Sequence, residues 1–197
     1  MTLILASGSE IRQQLLTAAG VLFTVQSAQV DEETIRRALQ AEQARPRDMA
    51  DALAEMKARK IAEKRPDCMV LGCDQILEFQ GDVLAKAETP AEARDQLRRL
   101  RGGWHKLWSA AVIYHDARPV WRFTGEARLL MRPLSDAYLE DYVDRNWHSI
   151  RHSVGGYKLE EEGCRLFSAV EGCSFTVMGL PLLAILGYLG DRGLIPT

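Results

Sequence analysis

The chain has 197 residues, of which 47% are hydrophobic and 26% are charged, and its net charge is −2. This balance is typical of a globular protein, and the length suffices for one large core or two small lobes. Because the overall charge is nearly neutral, no global field favours nucleic acid or an anionic membrane, so any phosphate-binding positive charge must be local.

Targeting segments and membrane spans are not predicted. The N-terminal residues lack the basic region of a signal peptide, and no stretch approaches the roughly 20 apolar residues of a membrane span. We therefore expect a soluble, cytoplasmic protein without nucleic-acid or membrane partners. The spacing of the four cysteines does not match a structural zinc site.

The first elements predicted are two short strands separated by a helix. Thr2 to Ala6 and Leu22 to Ser27 are the strand segments. Between them, Ser9 is expected to cap a helix that Gly20 terminates.

A longer helix is predicted from about Asp48 to Lys64, ending before Pro66. Its apolar face includes Met49, Leu53 and Met56.

The second half predicts a mixture of strands and helices. The apolar run Cys68 to Cys73 indicates a strand covered on both faces. Gln80-Gly81-Asp82 marks a hairpin turn between strands at Ile76–Phe79 and Val83–Ala85, and the capping box Thr89-Pro90-Ala91-Glu92 opens a helix. Further strands are expected at about Lys106–Tyr114 and Val120–Met131, and further helices at Ser135 to about Arg145 and Leu182 to about Leu189. We predict an α/β protein with a mixed, twisted sheet and flanking helices.

The first candidate site follows the first strand. Ser7-Gly8-Ser9 forms a turn of small residues before a helix N-terminus, where free N–H groups and the helix dipole favour an anion. Ser7 and Ser9 add hydroxyl groups, and Arg12 can bind phosphate oxygens with two nitrogen atoms. The alternative is an ordinary capped helix with a surface arginine.

Two carboxylates are the next candidates. Asp74 is expected directly after the strand that ends at Cys73, where α/β proteins place ligands, and it could hold Mg²⁺ or orient water. Glu32 lies in the acidic segment Val30-Asp31-Glu32-Glu33. Carboxylates close to phosphates imply a cation between them, although an acidic first helical turn and a turn aspartate are the alternatives.

Two lysines complete the set. Lys57 lies next to Met56 near the edge of the apolar helix face, and Lys86 follows the second arm of the hairpin. Either ammonium group could contact a phosphate as a point charge, or could simply be solvated.

In this order the motifs resemble the Maf family of nucleotide pyrophosphatases over nearly the whole chain. The segments that carry the resemblance are Leu3-Ile4-Leu5-Ala6-Ser7-Gly8-Ser9, Val30-Asp31-Glu32, Leu53-Ala54-Glu55-Met56-Lys57-Ala58, Gly72-Cys73-Asp74-Gln75, Leu84-Ala85-Lys86, Arg132-Pro133-Leu134-Ser135 and Gly179-Leu180-Pro181-Leu182.

The resemblance implies an elongated fold like that of inosine triphosphate pyrophosphatases, a single domain over residues 1–197 with two lobes around a central cleft, and a possible homodimer. It implies hydrolysis of a nucleoside triphosphate to a monophosphate and pyrophosphate with Mg²⁺ or Mn²⁺. Asp74 and Glu32 would bind the metal, Asp74 as general base, with Lys86 as a third catalytic group. Substrate would contact six further side chains: Ser7, Ser9, Arg12, Lys57, Gln75 and Glu160.

Two details resemble the subgroup that acts on 7-methyl-GTP. Gln75 follows the aspartate where the family often has threonine, and Tyr157-Lys158-Leu159-Glu160 resembles a Phe-Lys-x-Glu loop. Glu160 could accept hydrogen bonds from the N1–H and amino groups of guanine, or could be an ordinary loop glutamate.

The opening motif also departs from the family pattern. Glu10 replaces a proline, and Ile11 and Gln13 flank Arg12, which leaves one arginine where the family usually has two. A weakened phosphate clamp favours the alternative of a nucleotide-binding regulator without activity. A dTTP/UTP-type pyrophosphatase and a phosphomonoesterase that releases orthophosphate are two further alternatives.

Overall fold

The computed structural model describes residues 2–196, which form a seven-stranded sheet flanked by helices. The strands are β1 (Leu3–Leu5), β2 (Phe23–Val25), β3 (Met69–Phe79), β4 (Asp82–Leu84), β5 (Trp104–His115), β6 (Arg118–Met131) and β7 (Phe167–Gly172). The α-helices are α1 (Glu10–Ala18), α2 (Glu32–Ala41), α3 (Pro46–Ala62), α4 (Pro90–Leu100), α5 (Asp136–Ile150), α6 (Ser174–Val177) and α7 (Leu182–Asp191). Short 3-10 turns cover Val154–Gly156 and Glu162–Leu166.

The sheet has the order β2-β1-β3-β5-β6-β7, and β4 also pairs with β3. β1 is parallel to β2 and β3, whereas the remaining pairs are antiparallel. The predicted α/β class with a mixed sheet is therefore confirmed. None of the helices within residues 2–196 is both long and apolar enough to cross a membrane.

β3 differs from its prediction in a way that matters for Asp74. The strand does not end at Cys73 but continues to Phe79, because β5 pairs with it throughout and places Ala110 opposite Asp74. Its pairing with β1 ends at Leu71. Asp74 therefore lies within a central strand, beyond the point where the shorter β1 stops.

Helix α3 packs against β3 and β5. Met49, Leu53 and Lys57 lie at four-residue intervals on its buried face. Met56 is 40% exposed, so the prediction that it faces the core is wrong, and Lys57 takes the buried position instead, with 7% exposure. The 3.6-residue period places Met56 only about 60° around the helix from Leu53 and about 20° from the buried Met49, so its exposure depends on which neighbours cover that part of α3 and not on the period.

Close contact between α3 and β3 depends on Gly72. A Cβ atom at Gly72 would lie 2.2 Å from the Ala54 carbonyl oxygen and 2.6 Å from the Ala58 nitrogen. Only glycine allows the helix backbone to approach the strand this closely. The contact positions Lys57, one helical turn beyond Ala54, beside the residues that follow Gly72.

Other boundaries were predicted with mixed success. The hairpin at Gln80-Gly81 and the helix opened by Thr89 are confirmed, and the Thr89 hydroxyl accepts a hydrogen bond from the Glu92 N–H. α1 begins after Ser9, but the Ser9 side chain makes no capping bond within the described residues. α5 continues to Ile150, well beyond the predicted end at Arg145.

Candidate active site

A cavity of about 500 Å³ opens beside the carboxyl end of β1. It is lined by all nine side chains singled out in the sequence, namely Ser7, Ser9, Arg12, Glu32, Lys57, Asp74, Gln75, Lys86 and Glu160. These residues come from segments far apart in the chain, so the fold brings them together.

Lys57 joins the two carboxylates of the cavity. Its Nζ lies 2.6 Å from Asp74 Oδ1 and 2.9 Å from Glu32 Oε1. The Lys57 and Asp74 side chains are 8% and 7% exposed. In a site this poorly solvated, each charge would be costly without its partner.

The two carboxylates differ in their surroundings. Asp74 Oδ2 is buried and has no hydrogen-bond partner within residues 2–196. Burial raises the pKa of Glu32, but Lys57 and, to a lesser extent, Lys86 and Arg12 outweigh it, so the net pKa lies below its ordinary value. Glu32 is thus held ionised, while Asp74 keeps one oxygen atom available.

Arg12 is buried and fixed by the surrounding backbone. Its Nε donates to the Gly179 carbonyl oxygen at 2.8 Å, and its Nη1 donates to the Cys73 carbonyl oxygen at 2.9 Å and to Ser7 Oγ at 3.1 Å. The guanidinium group therefore joins the turn after β1 to β3 and to the segment before α7. This role is different from the surface arginine of the alternative interpretation.

Both serines of the turn line the cavity, but the hydroxyl group of Ser7 is already hydrogen-bonded within the protein. Ser7 is buried, and its Oγ accepts a hydrogen bond from the Ser9 N–H at 3.3 Å as well as from Arg12. Glu10, which departs from the family pattern, is exposed at the edge of the cavity. Ser9 and the first two residues of α1, Glu10 and Ile11, therefore border the cavity.

Lys86 stands at the end of the small hairpin, exposed at the mouth of the cavity. Partial burial lowers its pKa; Glu32 and Asp74 oppose this effect, whereas Arg12 and Lys57 add to it. The net pKa of Lys86 is therefore lowered, chiefly because the group is partly removed from water.

Gln75 is held by the late part of the chain. Its Nε2 lies within 3.0 to 3.1 Å of Ser109 Oγ and of the carbonyl oxygens of Thr176 and Val177. The Ser109 hydroxyl also donates to the Thr176 carbonyl oxygen at 2.7 Å. The side chain lines the cavity while it fixes α6 to the sheet.

The loop around Glu160 forms the opposite side of the cavity. Glu161 accepts hydrogen bonds from Ser149, and Glu162 pairs with Arg145. Glu160 is exposed and lines the cavity, and it forms neither an ion pair nor a side-chain hydrogen bond among the described residues. Of the three consecutive glutamates, it alone is directed to the cavity.

Sequence reasoning missed two residues at this site. Tyr157 lines the cavity, and its hydroxyl group lies 2.7 Å from Nε2 of the buried His105, whose pKa is lowered to about 4 by burial. Arg36 also lines the cavity from α2. Its spacing of four residues from Glu32 was the available signal, because such residues share a helix face.

The comparisons with known proteins agree with this geometry. The Maf-like protein family matches residues 2–192. The chain is 60% identical over 195 residues to a nucleoside triphosphate pyrophosphatase of Ruegeria pomeroyi, covering 99% of this chain and 98% of the relative. It is 51% identical to one of Sphingopyxis alaskensis, over all of both chains, and 40% identical to a 7-methyl-GTP pyrophosphatase of Rhizobium meliloti, covering 98% and 97%. This chain is a member of the Maf family.

Proposed function

We propose that this protein is a nucleoside triphosphate pyrophosphatase, which hydrolyses the α–β phosphoanhydride to a nucleoside monophosphate and pyrophosphate. The observation that carries the proposal is the cluster of Lys57, Asp74 and Glu32 in one cavity with Arg12 and Lys86. Three cations suit a triphosphate chain, and two carboxylates suit the handling of a water molecule.

The side chains that line the cavity have different chemical roles in this proposal. Asp74 Oδ2, which has no hydrogen-bond partner among the described residues, accepts the proton of the water that attacks the α-phosphorus. Lys57 holds Asp74 in place through the other oxygen atom. Arg12, Lys86 and Lys57 stabilise the negative charge that grows on the phosphoryl oxygens and on the leaving pyrophosphate.

A divalent cation, Mg²⁺ or Mn²⁺, belongs to the same proposal. No cluster of three or more His, Cys, Asp or Glu side chains suited to a metal occurs within residues 2–196. Two carboxylates, Asp74 and Glu32, nevertheless fit Mg²⁺, which is typically bound by one or two carboxylates together with substrate phosphates and water. The bound cation would neutralise phosphate charge and polarise the phosphoryl oxygens.

Glu160 supports 7-methyl-GTP as a preferred substrate. A carboxylate at this side of the cavity suits the N1–H and amino groups of guanine, and it also attracts the positive charge that methylation places on the base. The 7-methyl-GTP pyrophosphatase among the relatives is consistent with this preference. A dTTP/UTP-type activity is the alternative. The more similar relatives are named only as nucleoside triphosphate pyrophosphatases, and this name specifies no base.

The test is a panel of nucleoside triphosphates, including GTP, 7-methyl-GTP, dTTP and UTP, incubated with purified protein and Mg²⁺ or Mn²⁺. We expect pyrophosphate and monophosphate in equal amounts, with the highest kcat/KM for 7-methyl-GTP. Release of orthophosphate alone would indicate a phosphomonoesterase. Tight nucleotide binding without turnover would indicate a regulator.

We also propose a cytoplasmic location and a homodimer. The cysteines are free in the described chain and two of them are buried, which suits the reducing cytoplasm that we propose as the location. Exposed apolar side chains such as Leu22 and Leu183 would be covered in a homodimer. Sedimentation of the purified protein tests the dimer.

A further inference from the structure

One cation of the cavity belongs to none of the motifs that identify the family. Arg36 lies on α2, one helical turn after Glu32, and its side chain is only 15% exposed. It lines the same cavity as Arg12, Lys57 and Lys86. Burial of most of an arginine side chain at a cavity wall is unusual unless the group has a partner there.

Arg36 shares its ion-pair partner, Glu33, with the neighbouring Arg37. Arg36 Nη1 lies 2.9 Å from Glu33 Oε2, and Arg37 Nε lies 2.8 Å from Glu33 Oε1. Two guanidinium groups and one carboxylate leave this group with one excess positive charge. The Arg37 side chain is 76% exposed and does not line the main cavity, so the excess charge is available to a ligand through Arg36.

Arg36 also stands where the main cavity meets a second one. A cavity of about 680 Å³ between α2 and α4 is bordered by Glu32, Arg36 and Lys86, which line the main cavity as well. Lys86 and Arg36 are the cations at this junction. A phosphate chain extending from Asp74 to this junction would meet both of them, and it would end before the carboxylates Glu88, Glu92 and Asp95 of the second cavity.

The opening motif explains why a further guanidinium is needed. Gln13 occupies the position where the family usually has a second arginine. The Nε and Nη1 atoms of Arg12 already donate hydrogen bonds to backbone and serine oxygen atoms. Few of its donors therefore remain for a ligand. The charge that the α1 motif lacks is present on α2.

We propose that Arg36 binds the β- and γ-phosphates and stabilises pyrophosphate as the leaving group. The inference rests on the proposed function. Water forms the new bond to the α-phosphorus and gives its proton to Asp74, while the bond to the bridging oxygen breaks and pyrophosphate leaves with the electron pair. Arg36 offsets the charge that accumulates on this leaving oxygen and its neighbours.

The experiment compares Arg36→Ala with Arg37→Ala, because both changes remove an ion pair with Glu33 and only the first alters the main cavity, whereas Arg37 borders the second cavity alone. We expect Arg36→Ala to lower kcat/KM by about 10- to 100-fold, as for the loss of a charge-assisted hydrogen bond. The inhibition constant of pyrophosphate should rise by a similar factor, while that of the monophosphate stays unchanged. Arg37→Ala should stay within about twofold of wild type, and Arg36→Lys should recover part of the loss.

Glu33→Gln separates positioning from direct binding, because it breaks both ion pairs and keeps Arg36. Activity close to wild type is expected for it. Calorimetric titration of each folded variant with magnesium pyrophosphate measures binding without turnover, so Arg36 is tested even if wild type hydrolyses no triphosphate, a result that would sink the proposed function alone. Equal pyrophosphate affinity in the Arg36→Ala and Arg37→Ala proteins would overturn the assignment.

Discussion

Lys57 Nζ and Asp74 Oδ1 lie 2.6 Å apart and connect the buried face of α3 to the centre of β3. The pair leaves the second oxygen of Asp74 buried and without a partner in the described chain. Asp74→Asn should therefore reduce pyrophosphate release by about 100-fold or more, because an amide cannot take the proton of the attacking water. Stopped assays of pyrophosphate measure the change.

The matched control for that substitution is Asp67→Asn, which alters an exposed aspartate just before β3. It should leave turnover unchanged. If Asp74→Asn retained the wild-type rate, another group would have to be the general base.

Glu32 should contribute to stability in a pH-dependent way. Its folded pKa is below the ordinary 4.5, so its contribution is fully present above that pH and is lost as the pH falls through the lower, folded value. We expect the difference in unfolding free energy between wild type and Glu32→Gln to shrink as the pH is lowered from 6 to about 3. Urea denaturation across this range measures it, and a pH-independent difference would contradict the argument.

Lys86 should set part of the alkaline limit of activity. Its pKa lies below the ordinary 10.5, so it loses its charge at a lower pH than a solvated lysine. Lys86→Arg keeps the cation at all accessible pH values, because guanidinium has a pKa above about 12. The alkaline limb of the kcat/KM profile should move to higher pH in this variant, and an unmoved limb would assign that limb to another group.

Gly72→Ala should damage stability and activity together. The new Cβ would collide with the α3 backbone at 2.2 Å from the Ala54 carbonyl oxygen, so α3 must shift and carry Lys57 with it. We expect a loss of about 2 to 4 kcal/mol in unfolding free energy and a lower kcat. Gly187→Ala is the control, since no atom of residues 2–196 lies within 4 Å of its added Cβ and alanine favours a helix. Chemical denaturation of the two variants should therefore give changes of opposite sign.

Glu160→Gln should change selectivity more than catalysis. Removing the negative charge weakens attraction to the methylated, cationic base, so kcat/KM should fall by about 10-fold for 7-methyl-GTP and less for GTP. Glu171→Gln, on the surface of β7, serves as the control because Glu171 pairs with Arg128 away from the cavity. A uniform loss on both nucleotides would show that Glu160 does not read the base.

The sequence predicted the sheet class and most helices because their signals are local. Periodicity and capping residues such as Thr89 report on a few neighbouring positions. The course of β3 was mispredicted because its continuation past Cys73 is fixed by pairing with β5, a contact between distant segments. The exposure of Met56 and the burial of Lys57 likewise depend on which distant segments pack around α3, and the sequence does not show those contacts.

The candidate site was predicted largely by resemblance, and the structure brings the same residues into one cavity. Motif order identified Asp74 and Lys57 but gave no information on their contact. Arg36 was overlooked because an arginine in an amphipathic helix has the same local signature whether it faces solvent or a cavity. Only the packing of α2 beside the hairpin distinguishes Arg36 from Arg37.

Two side chains of the cavity are hydrogen-bonded to a segment that is synthesised much later, and this order matters for biosynthesis. Arg12 donates to the Gly179 carbonyl oxygen, and Gln75 donates to the carbonyl oxygens of Thr176 and Val177. Arg12 is synthesised 167 residues before Gly179, whose carbonyl oxygen helps to fix its orientation. A ribosome-bound nascent chain that has not reached residue 176 thus lacks these hydrogen bonds. Arg12 is therefore oriented by Gly179 only after the seven strands of the described sheet have been synthesised.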